Sequence, residues 1–203
     1  MEAKASHRFY RGCYRFARAV LSVVFRIDIK GKENIPSGAA MICSNHSNLI
    51  DPIFIAFAFG IKCFLHFIAK VELFNIPVLS AVVIKLGAIK VDREKMGAET
   101  IKSTLKYFRN DEKVAIFPEG TRTRDPDAIS AKFGAVKIAE RAGVPIVPVY
   151  VPRRKRLFSK ITVVIGKPYN IDRQSHKRSP EDYASLSADL MNRIEALDSG
   201  NMR

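Results

Sequence analysis

The chain has 203 residues, of which 47 % are hydrophobic, and it carries 34 lysines and arginines against 20 aspartates and glutamates. This length is enough for one domain with a full core, and the composition excludes a disordered tail. The net charge of +14 favours an anionic partner, such as nucleic acid, a lipid headgroup surface or a phosphorylated ligand, although basic residues can also serve solubility alone.

The first predicted element is an amphipathic helix over residues 7–25. Apolar residues recur along it at three- and four-residue spacing, and four arginines follow the same spacing on a different face: Arg8, Arg11, Arg15 and Arg18. Aromatic rings beside an arginine ridge suit a lipid interface, where guanidinium groups meet phosphates. The alternative is a helix that packs on the domain and exposes a solvated basic face.

The sequence favours attachment at the surface of a bilayer over a transmembrane span. The best apolar stretches, residues 17–25 and 50–61, are shorter than the ~20 residues that a spanning helix needs. The N-terminus does not fit a signal peptide, because basic residues run through its short apolar stretch. We therefore expect a protein on the cytoplasmic face of a membrane, peripheral or monotopic, attached through the N-terminal helix.

Strands and helices alternate along the rest of the chain. Alternating or continuous apolar runs predict strands in seven segments: 25–36, 38–45, 61–70, 88–93, 112–120, 144–151 and 160–170. Helical periodicity and end signals predict helices in five segments: 51–60, 76–87, 97–110, 131–143 and 181–197. This alternation predicts a single α/β domain with a largely parallel sheet flanked by helices.

The cysteines and histidines show no metal-ligand spacing. Cys13, Cys43 and Cys63 lie in apolar surroundings and fit small core or helix positions in a reducing compartment. The 4 histidines are too few and too dispersed for a metal cage. We expect no metal and no cofactor.

Three polar motifs follow predicted strands. "SNHSNLID" follows "AAMIC", Arg93 follows "AIKVD", and "PEGTRTRD" follows "KVAIF". Ligands of parallel sheets bind outside the carboxyl ends of the strands, so the three motifs can line one crevice.

His46 and Asp51 form a candidate general-base pair in the first motif. Imidazole accepts a proton near neutral pH, and a carboxylate on its other nitrogen fixes the tautomer and stabilises the imidazolium. Alternatively, Asp51 with Pro52 only starts a helix and His46 is a structural residue. The sequence lacks a G-x-S-x-G elbow, so we expect the base to activate a substrate hydroxyl for attack on an acyl thioester.

The segment that begins at Phe117 is a candidate phosphate site. Gly120 lets the backbone approach a ligand closely, and the planar guanidinium of Arg122 matches phosphate oxygens bidentately. Arg93 is a second candidate for the same anion. A solvated loop with chance charges is the alternative.

These motifs, in this order, resemble the glycerolipid acyltransferase family, specifically the 1-acyl-sn-glycerol-3-phosphate (lysophosphatidic acid) acyltransferases. The matching segments are, in order, H-x-x-x-x-D at His46 and Asp51, "KVELFNIP" at 70–77, "GAIKVDR" ending at Arg93, F-P-E-G-T-R-[ST] at Phe117–Thr123, and the hydrophobic block Val144–Val149. The resemblance makes residues 26–203 an acyltransferase domain, preceded by the amphipathic helical segment 1–25.

The resemblance implies transfer of a fatty acyl group from acyl-CoA or acyl-carrier protein to the 2-hydroxyl of 1-acyl-sn-glycerol 3-phosphate, which gives phosphatidic acid. His46 is then the general base and Asp51 its orienting carboxylate. Five residues belong to the acceptor site, the last as leading phosphate ligand: Arg93, Glu119, Gly120, Thr121 and Arg122. The implied partners are an anionic membrane surface, a lysophospholipid and the acyl donor, with no cofactor.

Three other interpretations stay open. The family often has an aromatic residue between the His and the Asp, whereas this chain has Ser-Asn-Leu-Ile, which leaves a sibling enzyme for another lysophospholipid possible. A basic nucleic-acid-binding protein fits the charge but lacks a reader motif. An inactive membrane-binding scaffold would leave His46 and Asp51 unused.

The basic segment 151–156 with Leu157 and Phe158 can contact headgroups, an acidic carrier or only solvent.

Overall fold

A computed structural model of the chain describes residues 5–92, 97–123, 132–172 and 178–198. Its centre is a seven-stranded sheet built from β1 Arg26–Lys30, β2 Ala40–Ser44, β3 Leu65–Lys70, β4 Ile89–Val91, β5 Lys113–Ile116, β6 Ile146–Tyr150 and β7 Lys160–Ile165. The α-helices in these ranges are α1 His7–Val24, α2 Asp51–Phe59, α3 Pro77–Lys85, α4 Ala98–Arg109, α5 Gly134–Ala142 and α6 Pro180–Glu195.

The strands lie in the order β1-β7-β6-β2-β5-β3-β4. Neighbouring strands are parallel except β6 and β7, which are antiparallel. This confirms the predicted α/β class with a largely parallel sheet. β2 lies between β5 and β6 with every residue buried, which explains why its sequence is a continuous apolar run and does not alternate.

Each face of the sheet carries a layer of helices. Ala40 and Ile42 of β2 pack with α1 and α2, whereas Met41 and Cys43 pack with α4, α5 and α6. Successive side chains of a strand point to opposite faces, so this one strand contributes to both cores.

The predicted N-terminal helix is confirmed as α1, and one side of it packs on the domain. Tyr10 is buried and donates its hydroxyl to the carbonyl of Cys63 over 3.0 Å. Its outer side exposes three large apolar residues: Phe16, Val20 and Val23. Among the described residues, no helix combines the length and apolarity that crossing a membrane requires.

Each predicted strand and helix has a counterpart in the structure, and several boundaries follow local signals. Gly143 closes α5 in the left-handed conformation, with φ 68°, and Ser179 with Asp182 forms a capping box at the start of α6. The division of the chain at residue 25 stays a prediction. Arg93 lies outside the described residues, so its place in the acceptor site also stays a prediction.

Candidate active site

His46 and Asp51 meet where β2 leads into α2. Nδ1 of His46 lies 3.1 Å from Oδ2 of Asp51, and both residues are buried. Because a carboxylate can only accept, Nδ1 carries the hydrogen and Nε2 is the nitrogen that can take a proton. The loop between the two residues therefore folds into the geometry that a general base requires.

The Asp51 carboxylate is held from three more directions. Oδ2 accepts from the backbone N–H groups of Ser47 at 2.7 Å and Asn48 at 2.6 Å. Oδ1 lies 2.6 Å from Nζ of Lys155. Burial alone would raise the pKa of Asp51, but the hydrogen bonds with His46 and Lys155 and the charge of the ammonium outweigh it and lower this pKa. Asp51 is thus held as an anion.

Asp51 does not occupy the helix-cap position that the sequence predicts for it. Ile50 occupies the cap position and Asp51 is the first residue of α2, followed by Pro52. Its side chain turns back to the preceding loop instead of capping the free N–H groups of its own helix. The pair Asp51-Pro52 therefore predicts the start of the helix correctly, but the carboxylate of Asp51 accepts hydrogen bonds from the loop that contains His46.

Lys155 is a site residue that the sequence did not single out. Its side chain is 1 % exposed, and Nζ also donates to the carbonyl of Pro152 over 2.6 Å and to Oγ of Ser47 over 3.2 Å. Only Arg154 and Arg156 of the four basic residues in the segment 151–156 are exposed, because the extended chain turns Arg153 and Lys155 inward. Of its basic residues, only Arg154 and Arg156 are therefore placed to contact headgroups, an acidic carrier or solvent.

The loop after β5 covers the ring of His46. The rings of Phe117 and His46 stack with centroids 3.9 Å apart and an interplanar angle of 18°. The N–H of Thr123 donates to the carbonyl of His46 over 2.9 Å. The first and third polar motifs thus lie at the same edge of the sheet, because they follow the neighbouring parallel strands β2 and β5.

Glu119 belongs to a buried ionic network. Its Oε1 accepts from the N–H of His46 at 3.2 Å and from Arg153 at 2.7 Å. Arg153 also donates to the carbonyl of Thr123 over 2.8 Å and pairs with Glu195 of α6. Burial raises the pKa of Glu119, although the guanidinium opposes this effect. The network holds the backbone of His46 against the loop after β5.

The remaining predicted acceptor residues lie further along this loop. Gly120 has φ 66°, and a Cβ there would lie 3.0 Å from Cε of Lys132, so the position favours glycine on both grounds. Thr121 and Arg122 are exposed. The loop therefore presents a hydroxyl and a guanidinium to solvent beside the buried pair.

An apolar groove of about 440 Å³ lies between the first three helices and β3. Its lining includes Ala17, Leu21, Ile53, Phe57 and Phe67. The ring of Phe67 in turn stacks near that of Phe117, with centroids 6.4 Å apart. The groove therefore reaches the aromatic stack that covers His46.

Sequence reasoning found the pair and the loop, but it missed Phe117 as the stacking partner of His46 and Arg153 and Lys155 as buried cations. The alternation of basic residues in 151–156 shows only that two of them share a side of an extended chain. Which side faces inward depends on carboxylates that come from other parts of the sequence.

The chain is similar to known proteins over most of its length. The family model described as "Acyltransferase" matches residues 26–152. The 1-acyl-sn-glycerol-3-phosphate acyltransferase of Bacillus subtilis (strain 168) is 34 % identical over 197 residues, which covers 93 % of this chain and 96 % of that protein. The protein of the same name from Borreliella burgdorferi is 32 % identical over 154 residues, covering 74 % of this chain and 60 % of that protein.

A solved structure shares the fold. The crystal structure of the 1-acyl-sn-glycerophosphate (LPA) acyltransferase PlsC from Thermotoga maritima superposes with a TM-score of 0.67 at 24 % identity. The match covers 95 % of this chain and 80 % of that one.

Proposed function

Because the chain belongs to the acyltransferase family, we propose that it is a 1-acylglycerol-3-phosphate O-acyltransferase, which transfers a fatty acyl group from a thioester to the 2-hydroxyl of 1-acyl-sn-glycerol 3-phosphate and forms phosphatidic acid. The observation that carries this proposal is the buried contact of 3.1 Å between Nδ1 of His46 and Oδ2 of Asp51. The donor is acyl-CoA or acyl-carrier protein, both of which present the acyl group as a thioester.

His46 acts as the general base. Its Nε2 takes the proton of the 2-hydroxyl while the hydroxyl oxygen bonds to the thioester carbonyl carbon. The carbon–sulfur bond then breaks, and the thiolate leaves with the proton that the imidazolium returns. A positioned base contributes about 10²–10⁴-fold to such a step. Stacking on Phe117 holds the plane of the ring, and an aromatic pair of this kind adds about 0.5–1.5 kcal/mol.

Lys155 positions and balances the charge of Asp51. An anion beside the imidazole stabilises the imidazolium that forms during the reaction. The ammonium at 2.6 Å from Oδ1 offsets part of that charge. Lys155 is therefore a positioning residue and does not contact the substrate.

The acceptor phosphate binds at the exposed part of the loop after β5. Arg122 is its leading ligand, with Gly120 and Thr121 supplying a close backbone and a hydroxyl, and with Arg93 as a second cation. Glu119 supports this site from the interior of the domain, through its buried contacts with His46 and Arg153. A clamped phosphate fixes the position of the 2-hydroxyl, so binding also orients the attack.

The acyl groups and the membrane meet the apolar side of the enzyme. The groove is lined by apolar side chains from α1, α2 and β3 and suits an acyl chain. The outer side of α1 exposes Phe16, Val20 and Val23 next to arginines, which suits the surface of an anionic bilayer. The enzyme thus works at the cytoplasmic face of a membrane as a peripheral or monotopic protein.

The direct test measures thiol release from acyl-CoA and from acyl-carrier protein with a panel of lysolipid acceptors. Lysophosphatidic acid should be the preferred acceptor, and the product should be phosphatidic acid. A preference for a lysophospholipid with a larger headgroup would identify a sibling acyltransferase instead. Vesicle binding without any thiol release would indicate the inactive scaffold, and nucleic-acid binding unaffected by His46→Ala would contradict the proposal.

Arg122→Ala should raise the KM for lysophosphatidic acid about 10–100-fold and change kcat little, because a charged hydrogen bond to the phosphate contributes about 1.5–3 kcal/mol. Steady-state kinetics with a varied acceptor would measure the effect. The matched control is Arg109→Ala, an exposed arginine at the end of α4. An unchanged KM in the Arg122 variant would remove this residue from the acceptor site.

Lys155→Met should shift the acidic limb of the pH–rate profile to higher pH, because the ammonium contributes to the lowered pKa of Asp51. Without the ammonium, the Asp51 carboxylate is uncompensated beside the imidazole, so a proton binds the pair more tightly. Glu119 is the other buried carboxylate near His46, but Arg153 pairs with it in both proteins. Lys155→Arg keeps the charge and should keep the limb in place, and Arg154→Met is the outward-facing control. An unshifted limb in an active Lys155→Met variant would refute the assigned role.

A further inference from the structure

Phe158 adopts a backbone conformation that an aromatic residue rarely takes, and the protein itself does not bury its ring. Its φ is 60°, in the left-handed region, and 77 % of the residue is exposed. The turn is closed where the N–H and the hydroxyl of Ser159 both donate to the carbonyl of Arg156, over 3.2 Å and 2.6 Å. Such strain persists where the surroundings impose it, and it often marks a functional position.

The turn 156–159 projects beyond the edge of the sheet that carries the active site. β6 and β7 are antiparallel with Tyr150 opposite Val164, so β7 starts at Lys160, well past the carboxyl end of β6. At 3.2–3.4 Å per residue, this places the turn more than about 10 Å outside the strand ends. The N–H of Phe158 donates to the carbonyl of Val24 over 2.8 Å, which joins the turn to the end of α1.

Five exposed apolar residues, from α1 and from this turn, form what we call the docking face: Phe16, Val20, Val23, Leu157 and Phe158. They are between 47 % and 77 % exposed. Isolated exposed apolar residues are ordinary, but a group from two hydrogen-bonded elements is a candidate interaction surface.

The charges around the docking face identify its partner. Arg154 and Arg156 are exposed beside Leu157, and Arg15 and Arg26 are exposed on and after α1. Helix α1 contains four arginines and no carboxylate: Arg8, Arg11, Arg15 and Arg18. An apolar turn that directly follows two exposed guanidinium groups matches the acyl region and the phosphates of an anionic bilayer.

We propose that the turn 156–159 is a second membrane-inserting element, with Leu157 and Phe158 entering the acyl boundary while Arg154 and Arg156 contact headgroup phosphates. The inference rests on the proposed attachment of α1 to a membrane. One helix on a surface leaves the domain free to rotate about the helix axis. A second insertion point at the end of that helix sets the orientation, and it directs the edge with His46 toward the lipid.

Insertion can be observed directly, because the chain has no tryptophan. Phe158→Trp should show a blue-shifted emission with vesicles of equal parts phosphatidylcholine and phosphatidylglycerol, and quenching by lipids brominated on the acyl chains. Phosphatidylcholine vesicles alone should give a much smaller change. The matched control is Tyr183→Trp, at a partly buried position of α6 on the other face of the sheet and beside Glu140 near the end of α5, which should show neither change.

A second variant separates membrane affinity from folding. Phe158→Asn removes the ring but suits the left-handed conformation, so its melting temperature should equal or exceed that of the wild type. Its partitioning to the anionic vesicles should fall about tenfold, in line with the loss of one buried aromatic side chain. Tyr183→Asn, on α6, should leave partitioning unchanged.

The outcomes distinguish this inference from the proposed function. Unshifted emission at position 158 with wild-type partitioning of Phe158→Asn would overturn the inference, even if acyl transfer to a short-chain acceptor in solution is normal. Insertion of residue 158 without any acyl transfer would support the inference and contradict the function. A blue shift that depends on protein concentration without vesicles would assign the docking face to a second copy of the chain and overturn the inference.

Discussion

Replacement of His46 by alanine is expected to lower kcat for thioester consumption by about 10²–10⁴-fold, since the proposed mechanism relies on its imidazole to take the proton of the attacking hydroxyl. The contact of 3.1 Å with Asp51 and the stack on Phe117 define one ring orientation, and alanine provides neither contact nor a proton acceptor. The loss should appear in kcat, because the proposed phosphate ligands, which would set acceptor affinity, lie on a different loop. Stopped assays of thiol release at saturating acceptor would measure it.

A more conservative variant separates the loss of the base from the loss of local packing. His46→Asn keeps an N–H group that can donate to Asp51 but has no atom that accepts a proton near neutral pH. It should be as inactive as His46→Ala while retaining more of the local packing. His7→Ala, at an exposed position at the start of α1, is the control and should keep its activity. Wild-type turnover by His46→Asn would contradict the assigned mechanism.

Asp51→Asn should have the second largest effect, with losses in both activity and stability. The amide cannot hold the imidazole in the same tautomer or stabilise the imidazolium, so kcat should fall by on the order of 10²–10⁴-fold. The buried ammonium of Lys155 loses its counter-ion, and breaking a buried pair from one side costs about 3–5 kcal/mol. Urea unfolding at neutral pH would measure the change in free energy.

The pH dependence of unfolding provides an independent check on Asp51. Its pKa in the folded chain is lowered, so its ionised form stabilises the fold above the pKa of about 3.9 expected in the unfolded chain. This contribution is lost as the pH falls through the lower, folded pKa. The wild type and Asp51→Asn should therefore differ most in unfolding free energy near pH 7 and converge below about pH 4.

A double variant separates the pair from its surroundings. Asp51→Asn combined with Lys155→Met removes both charges, so its destabilisation should be smaller than the sum of the two single losses. Strict additivity would show that the two side chains do not interact, and the 2.6 Å contact would then have no energetic role.

Local patterns were sufficient for the class of the fold and for part of the site. The continuous apolar run of β2 predicts a buried strand, and Gly143 marks the end of a helix, because each signal depends on neighbours within a few residues. His46 and Asp51 are likewise close in sequence, so one strand-to-helix loop brings them together. The motif order then indicated the family that the comparisons with known proteins support.

The sequence by itself therefore determined the α/β architecture, the pairing of His46 with Asp51, and the loop after β5 as the neighbour of this pair. Only the tertiary structure decided that Lys155 neutralises Asp51, that Arg153 pairs with Glu119 and Glu195, and that Phe117 stacks on His46. The physical reason is that these contacts join segments far apart along the chain, which the sheet order β6-β2-β5 places side by side. Periodicity shows which residues share a side of an extended segment, but the position of the buried carboxylates decides which side turns inward.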